Sequence, residues 1–381
     1  MKIIINTVSS KKRSGGTFQV AQNYLLKTLE HQDIDWYYFT SQDLDDEIGS
    51  SFIDIKDSRY FVFPTQPDFK GSYKCVKKKL RELEEKINAD VVYSVVAPSY
   101  FTFETKEVMR FTNPWVTQPN KYSWKSLPLK SYLRTKVYCW NQRRMLRKAH
   151  YFITQTDTTK QGILRITGEP ESHVCVVPNV LPVTISKQVV SHLVTDEWFN
   201  IVSPAVAHPH KNLDIIPDVL SELQKRGIEK VRFHTTLPPD NYICKIIATK
   251  LSNNGLTDHW VNHGIISQED LSNVYRRSQM VFLPTLLEVF SVSAIEAMYF
   301  ELPIVATNFP FNTEVLDDAC LYYEPTNAKS AADQIAKIYK STQLVSELKN
   351  KMTVRLSKYD DYDAHFNAIK SFLINVANKT L

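Results

Sequence analysis

The stretch from Met280 to Pro325 reads MVFLPTLLEVFSVSAIEAMYFELPIVATNFPFNTEVLDDACLYYEP. Met280 to Pro284 is a short apolar run that suits a buried strand, and Ser291 to Phe300 has the spacing of a helix. Pro303 to Thr307 and Ala319 to Tyr323 are again short apolar runs, so the stretch alternates strand and helix as parallel α/β sheets do. Two carboxylates stand eight positions apart in it: Glu288 in the loop and Glu296 inside the second helical turn. A helix starting near Ser291 leaves N–H groups that no helical carbonyl satisfies, and such an end attracts phosphate. Beside a bound diphosphate, one carboxylate can hold a sugar hydroxyl and the other a ribose diol, because an ionised carboxylate is purely an acceptor. Together they suit a nucleotide-sugar. Taken alone, the spacing also describes an amphipathic helix with an exposed Glu at each end.

Outward from this stretch the alternation continues. The first half is expected to hold strands at residues 2–6, 36–40, 90–96, 109–112, 151–155 and 174–177. The second half adds 200–206, 231–235, 259–263 and 279–283 before the two just described. Helices are expected at Lys74 to Ile87, Asp214 to Arg226 and Gln268 to Ser278. Pro178-Asn-Val-Leu-Pro182 breaks both ladders and helices and makes a natural hinge. A chain of 381 residues exceeds the roughly 250–300 at which one core stops growing, so two domains are expected. Met1-Lys-Ile-Ile-Ile-Asn6 has an apolar run too short for a secretory h-region and reads as the first strand.

No run approaches the length that spans a bilayer, so a soluble or peripheral protein is expected. The five cysteines never fall at metal-ligand spacing and read as reduced thiols, which points to the cytoplasm. Only nine glycines occur, where ordinary usage gives roughly 27. Gly15 and Gly16 follow the first strand and precede a helical pattern, where the backbone admits a close ligand and the helix start adds partial positive charge. A third glycine is absent, so this is not a dinucleotide fingerprint, and a plain tight turn would look the same.

Charge is uneven. Residues 1–180 carry a balance of +8 and the remainder −3. Val108 to Thr156 holds ten basic residues and no acidic one, interleaved with Trp115, Tyr122, Trp124, Tyr132, Tyr138 and Trp140. Such a mixture suits a surface resting on anionic lipid head groups. Equally, Leu129, Leu133, Val137 and Trp140 can be the packed side of one helix whose other face the charges solvate. The net charge of +5 is modest and no nucleic-acid module is visible, so nucleic acid is not expected as a partner.

From Pro284 to Pro325 the chain resembles the donor-binding signature of retaining family 4 glycosyltransferases, the group 1 enzymes of the GT-B fold. The matching elements come in order: the paired Glu288 and Glu296, the helix Glu296-Ala-Met298, the strand Pro303 to Thr307 with Asn308, Glu314-Val315, and the acidic turn before Ala319-Cys-Leu321. Weaker echoes are Arg144-Met-Leu-Arg-Lys-Ala149, Val176-Val-Pro-Asn179 and His210-Lys-Asn212.

The resemblance implies an α/β protein of two Rossmann-like domains facing a central cleft. Residues 1–180 would bind the acceptor, 181–360 the nucleotide-sugar, and a helix at 361–381 would return to the N-terminal domain. It implies that Lys211, at the end of the first donor-domain strand, contacts the diphosphate, where charge develops as the donor ionises. It further implies Glu288 beside the sugar, Glu296 on the ribose, and backbone N–H groups of Phe290, Ser291 and Val292 on the phosphates. Gly264 and Ile265 would face the nucleobase, and Gly15 and Gly16 the donor from the opposite wall. The implied reaction retains anomeric configuration, needs no metal or other cofactor, and serves synthesis of a bacterial cell-surface polysaccharide on a glycan or lipid-linked acceptor. The anionic membrane surface would then be met through 108–156.

Departures are visible. Val289 and Ser291 stand where most members have glycines, and an arginine usual just before Lys211 is missing, with His208 or His210 in its place. No His occurs between His31 and His150, where many members place one near the reacting centre. A catalytically silent subunit of the same fold, binding sugar or a partner transferase, is therefore the alternative.

Overall fold

The computed structural model describes residues 1–12, 16–65, 69–182, 185, 190, 197–359 and 361–378, in two compact units. The first unit comprises Met1–Thr117, Val137–Val177 and Asp363–Leu381; the second comprises Gln118–Lys136 and Pro178–Tyr362. The stretch Gln118–Lys136, which the sequence reading keeps with the N-terminal domain, thus clusters with the second unit.

In the first unit the strands are β1 (Lys2–Thr7), β2 (Asp35–Ser41), β3 (Tyr60–Phe63), β4 (Val91–Ser94), β5 (Glu107–Arg110), β6 (Tyr151–Thr154) and β7 (Val174–Val176). They form one parallel sheet in the order β3-β2-β1-β4-β5-β6-β7. Six were expected, although β5 lies two residues earlier than the sequence reading placed it. The seventh, β3, was missed because its four residues form a short run between polar Asp57-Ser-Arg59 and Pro64. Pairing with β2, from Tyr38 opposite Tyr60 to Ser41 opposite Phe63, holds this edge strand. The helix Tyr362–Ala377 buries Phe366, Ile369, Phe372, Leu373 and Val376 in the same core as β1 and β2.

The second unit has β8 (Phe199–Ser203), β9 (Val231–Thr235), β10 (Trp260–Asn262), β11 (Met280–Leu283), β12 (Ile304–Thr307) and β13 (Leu321–Tyr323). These are parallel, in the order β10-β9-β8-β11-β12-β13. β8 and β11 are therefore neighbours although their sequence positions are far apart, with Met280 opposite Ile201 and Val281 opposite Val202. β8 is followed by a crossover towards β9, and β11 by one towards β12, on the other side. This reversal is the topological switch point of the sheet, where open α/β proteins bind ligands.

On the helix Leu129–Leu146 the apolar stripe is not the packed side. The helix buries Cys139, Gln142 and Leu146, whereas Leu129, Leu133, Val137 and Trp140 are exposed. Among the described residues no helix is long and apolar enough to cross a membrane.

Candidate functional site

The chain leaving β8 passes through Ser203-Pro204-Ala205 to a single 3-10 turn at Pro209–Lys211. That turn ends at Asn212, whose φ of 55° lies in the left-handed region that Asn tolerates. From β11, Pro284 ends the ladder and a loop leads to the helix Val292–Tyr299. The two segments meet in a crevice over the strand ends, lined by Ser203, Lys211, Thr285, Glu288, Ser291 and Ser293 among others.

In it, Lys211 Nζ donates to Glu288 Oε2. The two side chains are only 17% and 22% exposed, so this ion pair is largely shielded from solvent. Ser291 is the N-cap of the helix but its side chain accepts no capping hydrogen bond, which leaves the first-turn donors without a side-chain acceptor beside a lysine. A shielded cation, uncapped helix donors and a carboxylate within one crevice can bind an anion and a hydroxyl-bearing group together.

The loop carrying Glu288 is fixed from several sides. The Leu286 N–H donates to the His210 carbonyl at 2.7 Å, and Thr307 Oγ1 to the Thr285 carbonyl at 2.6 Å. Asn120 Nδ2 donates to the Leu286 carbonyl at 2.7 Å, and Gln118 Nε2 to the carbonyl of Glu288 itself. Asn120 also caps the short helix Lys121–Lys125, its Oδ1 accepting from the N–H groups of Tyr122 and Ser123 at 3.0 and 2.9 Å. Sequence reasoning missed both residues. The Asn-x-x-Ser spacing signals the cap, but nothing local shows that the amide also reaches the Glu288 loop.

His208 and His210 stack with ring centroids 5.4 Å apart. Burial pushes the His210 imidazole down to about 3, and the neighbouring Lys211 and His208 charges act the same way. His208 is lowered by burial and then by Lys211, against an opposing pull from Glu288. Both rings are therefore neutral around pH 7 in the free site. They do not stand in for a missing arginine charge; the positive charge here is that of Lys211.

Glu296 is 4% exposed and held from within: Tyr275 Oη donates to Oε2 at 2.8 Å and Gln268 Nε2 to Oε1 at 3.1 Å. Burial raises its carboxyl above the usual range, and these two hydrogen bonds oppose the rise. Neither Glu is thus an exposed end of an ordinary amphipathic helix. In the free protein Glu296 is closed by Gln268 rather than open to a diol. Gln268 and Tyr275 were also missed; they lie seven apart on the helix Gln268–Arg276, a spacing that puts both on one face.

The Phe290 ring is buried against Tyr359, centroids 5.4 Å apart, which leaves its backbone to serve a ligand, and the partly buried Val292 packs on the same core. Gly264 has a φ of 73°, which favours glycine, and Ile265 beside it is 83% exposed. Both follow β10, which β9 separates from β8, and neither lines the crevice at Lys211. Gly16 is the exposed first residue of the helix Gly16–Thr28 after β1, in the first unit. Gly15 lies outside the described residues.

Residues 191–355 match the family model of glycosyl transferases group 1, a span that holds Lys211, Glu288 and Glu296. No curated protein matches the chain. Among solved structures, a glycosyltransferase from Rickettsia africae ESF-5 is similar at 15% identity over 98% of each chain, with a TM-score of 0.72. Anabaena Alr3699/HepE, solved with UDP and glucose, has 16% identity over 98% of this chain and 99% of that one, with a TM-score of 0.68. The lipopolysaccharide outer core galactosyltransferase WaaB, in its apo form, has 14% identity over 100% of both chains and a TM-score of 0.64. At such identities the likeness is one of fold, and the fold is GT-B.

Proposed function

We propose that this chain is a glycosyltransferase that moves a sugar from a nucleotide-sugar to a glycan or lipid-linked acceptor, with retention at the anomeric carbon. The observation that carries the reading is the shielded Lys211–Glu288 pair at the switch point between β8 and β11, beside an uncapped helix start. Without ligand the two charges neutralise each other. A nucleotide diphosphate offers Lys211 a more highly charged partner, which frees the Glu288 carboxylate to accept hydrogen bonds from sugar hydroxyls.

The chemistry follows from where charge develops. As the bond between the anomeric carbon and the phosphate oxygen breaks, negative charge grows on the departing diphosphate, within reach of Lys211 and the first-turn N–H groups. Positive charge grows on the sugar, beside Glu288. The acceptor hydroxyl attacks from the face the diphosphate leaves, and its proton passes to the departing phosphate oxygen, so configuration is kept. Glu296 reads the ribose once Gln268 yields its place. Lysine is the cation in this scheme, so no metal is called on. Support comes from the family match over 191–355 and from similar folds whose own names include a UDP and glucose complex and a lipopolysaccharide galactosyltransferase. On that support we assign the reaction to cell-surface polysaccharide synthesis.

A thermal-shift panel of nucleotides and nucleotide-sugars, starting with the uridine series, tests the reading. A ligand at about 100 times its Kd adds about 2.7 kcal/mol of stability. The shift is expected in the wild type and to be smaller in Lys211→Ala. Absence of any shift across the panel rejects donor binding, and binding without turnover of any donor identifies a silent subunit instead.

A further inference from the structure

We propose that the cavity between β9, β10 and the helix Gln268–Arg276 is a second small-molecule site, which takes a hydroxylated organic anion the size of an acidic monosaccharide. The cavity measures about 430 Å³, within the range of ligand pockets, and its walls include Asn200, His234, His263, Asp270, Val274 and Arg277. None of these lines the crevice at Lys211, and all of them belong to the second unit. At about 100° per residue, Asp270, Val274 and Arg277 fall within about 60° of one another on one flank of the helix. Gln268 and Tyr275, which hold Glu296, lie roughly 140° round from that flank. The cavity is thus separate from the groups assigned to the donor.

The polar groups define the ligand. Asn200, 3% exposed, is oriented by its Nδ2, which donates to the Arg277 carbonyl at 3.4 Å. Its Oδ1 therefore accepts from His234 Nε2 at 2.9 Å, and His234 Nδ1 in turn accepts from His263 Nε2 at 3.0 Å. This chain leaves His263 Nδ1 for a ligand, as an acceptor from a hydroxyl when neutral and a donor to an anion when protonated. Burial, and then the charge of Arg277, lower the His263 imidazole, so the resting cation of the cavity is Arg277. Among the described residues the Arg277 guanidinium has no hydrogen bond or ion pair, and its planar fork of donors matches a carboxylate or a phosphate. Asp270 accepts from Ser267 Oγ through Oδ2 at 2.7 Å, which leaves Oδ1 as an acceptor. A bare anion would meet the Asp270 charge without a donor between them, and a bare cation would meet Arg277. An anion that also carries hydroxyls satisfies both, with its C–H face against Val274. This inference does not rest on sugar transfer.

Isothermal titration of the full chain with glucuronate and with glucose 6-phosphate tests the assignment, with glucose and inorganic phosphate as partial ligands. At least one of the two acids is expected to bind at millimolar concentration, and which of them binds tells a carboxylate site from a phosphate site. Glucose and phosphate alone should bind about tenfold more weakly or worse. Arg277→Ala is expected to weaken the acid by roughly tenfold to a hundredfold and His263→Gln by about tenfold, while Lys211→Ala binds it as the wild type does. Arg277 is exposed, so the melting temperature of Arg277→Ala without ligand should stay at the wild-type value, which separates lost binding from lost folding. Wild-type protein that binds neither acid overturns the proposal, as does Arg277→Ala that binds as well as wild type. Binding weakened only by Lys211→Ala overturns it too, because the ligand then sits in the crevice.

Discussion

Lys211 and Glu288 are each other's counter-ion, so removing either leaves a shielded charge unmatched and takes one arm from the site. Lys211→Ala is expected to lower kcat by 10²–10³-fold, about 3 kcal/mol, checked by steady-state kinetics at saturating donor. The stacked histidines give a negative expectation. With His210 at about 3, its ring does not titrate in the free protein between about pH 6 and 8, so kcat/KM there should carry no step from it, and His210→Gln should leave the profile unchanged. A partly buried carboxyl elsewhere gives a positive expectation. Burial pushes Glu107, on β5, up to about 7, against hydrogen bonds from Ser94 and Ser99. The unfolded chain loses this proton near 4.5 while the folded one keeps it to about 7. The stability it contributes is therefore complete below the lower value and is lost as pH rises through the upper one, at about 1.4 kcal/mol per unit. Urea unfolding of Glu107→Gln should lack this loss.

At the scale of elements, the loop from Pro284 to Ser291 is placed by residues distant in sequence. Gln118→Ala and Asn120→Ala each remove a hydrogen bond to its carbonyls. Each should lower kcat/KM for the donor about tenfold to a hundredfold through misplacement of Glu288; thermal melting should change little in Gln118→Ala, whereas Asn120→Ala also loses its helix cap and about 1 kcal/mol of stability, and equal loss of melting temperature and activity in Gln118→Ala would argue against a positioning role. Tyr275→Phe strips one partner from the buried Glu296 and should destabilise the protein by about 1–3 kcal/mol, measured by denaturant unfolding. The helix bearing Glu296 was legible from its apolar spacing, expected from Ser291 to Phe300 and observed at Val292–Tyr299. β3 was not, because an edge strand of four residues depends on its neighbour β2 more than on its own pattern. The stripe on Leu129–Leu146 was legible as a stripe, but periodicity cannot tell which side of a helix has a neighbour.

Across the whole molecule, the last helix belongs with the first unit although the entire second sheet separates them in sequence. Phe366 stacks on His31 at 4.5 Å and packs on Tyr24 at 5.0 Å within that core. Phe366→Ala should cost about 3–5 kcal/mol, read as a shifted urea midpoint. The amino-acid sequence by itself determined what depends on near neighbours along the chain: short apolar runs, helical spacing, and hence a parallel α/β protein with an eight-residue gap between two carboxylates. The tertiary structure decided what depends on strand order. β8 lies beside β11 only because the chain crosses the sheet between them, and that adjacency brings Lys211 onto Glu288. It also turned Glu296 inward onto Tyr275, carried Gln118 and Asn120 to the Glu288 loop, and left the Leu129–Trp140 stripe uncovered. Hydrogen bonds and burial between distant segments have no local signature, because each is set by the partner that the fold delivers.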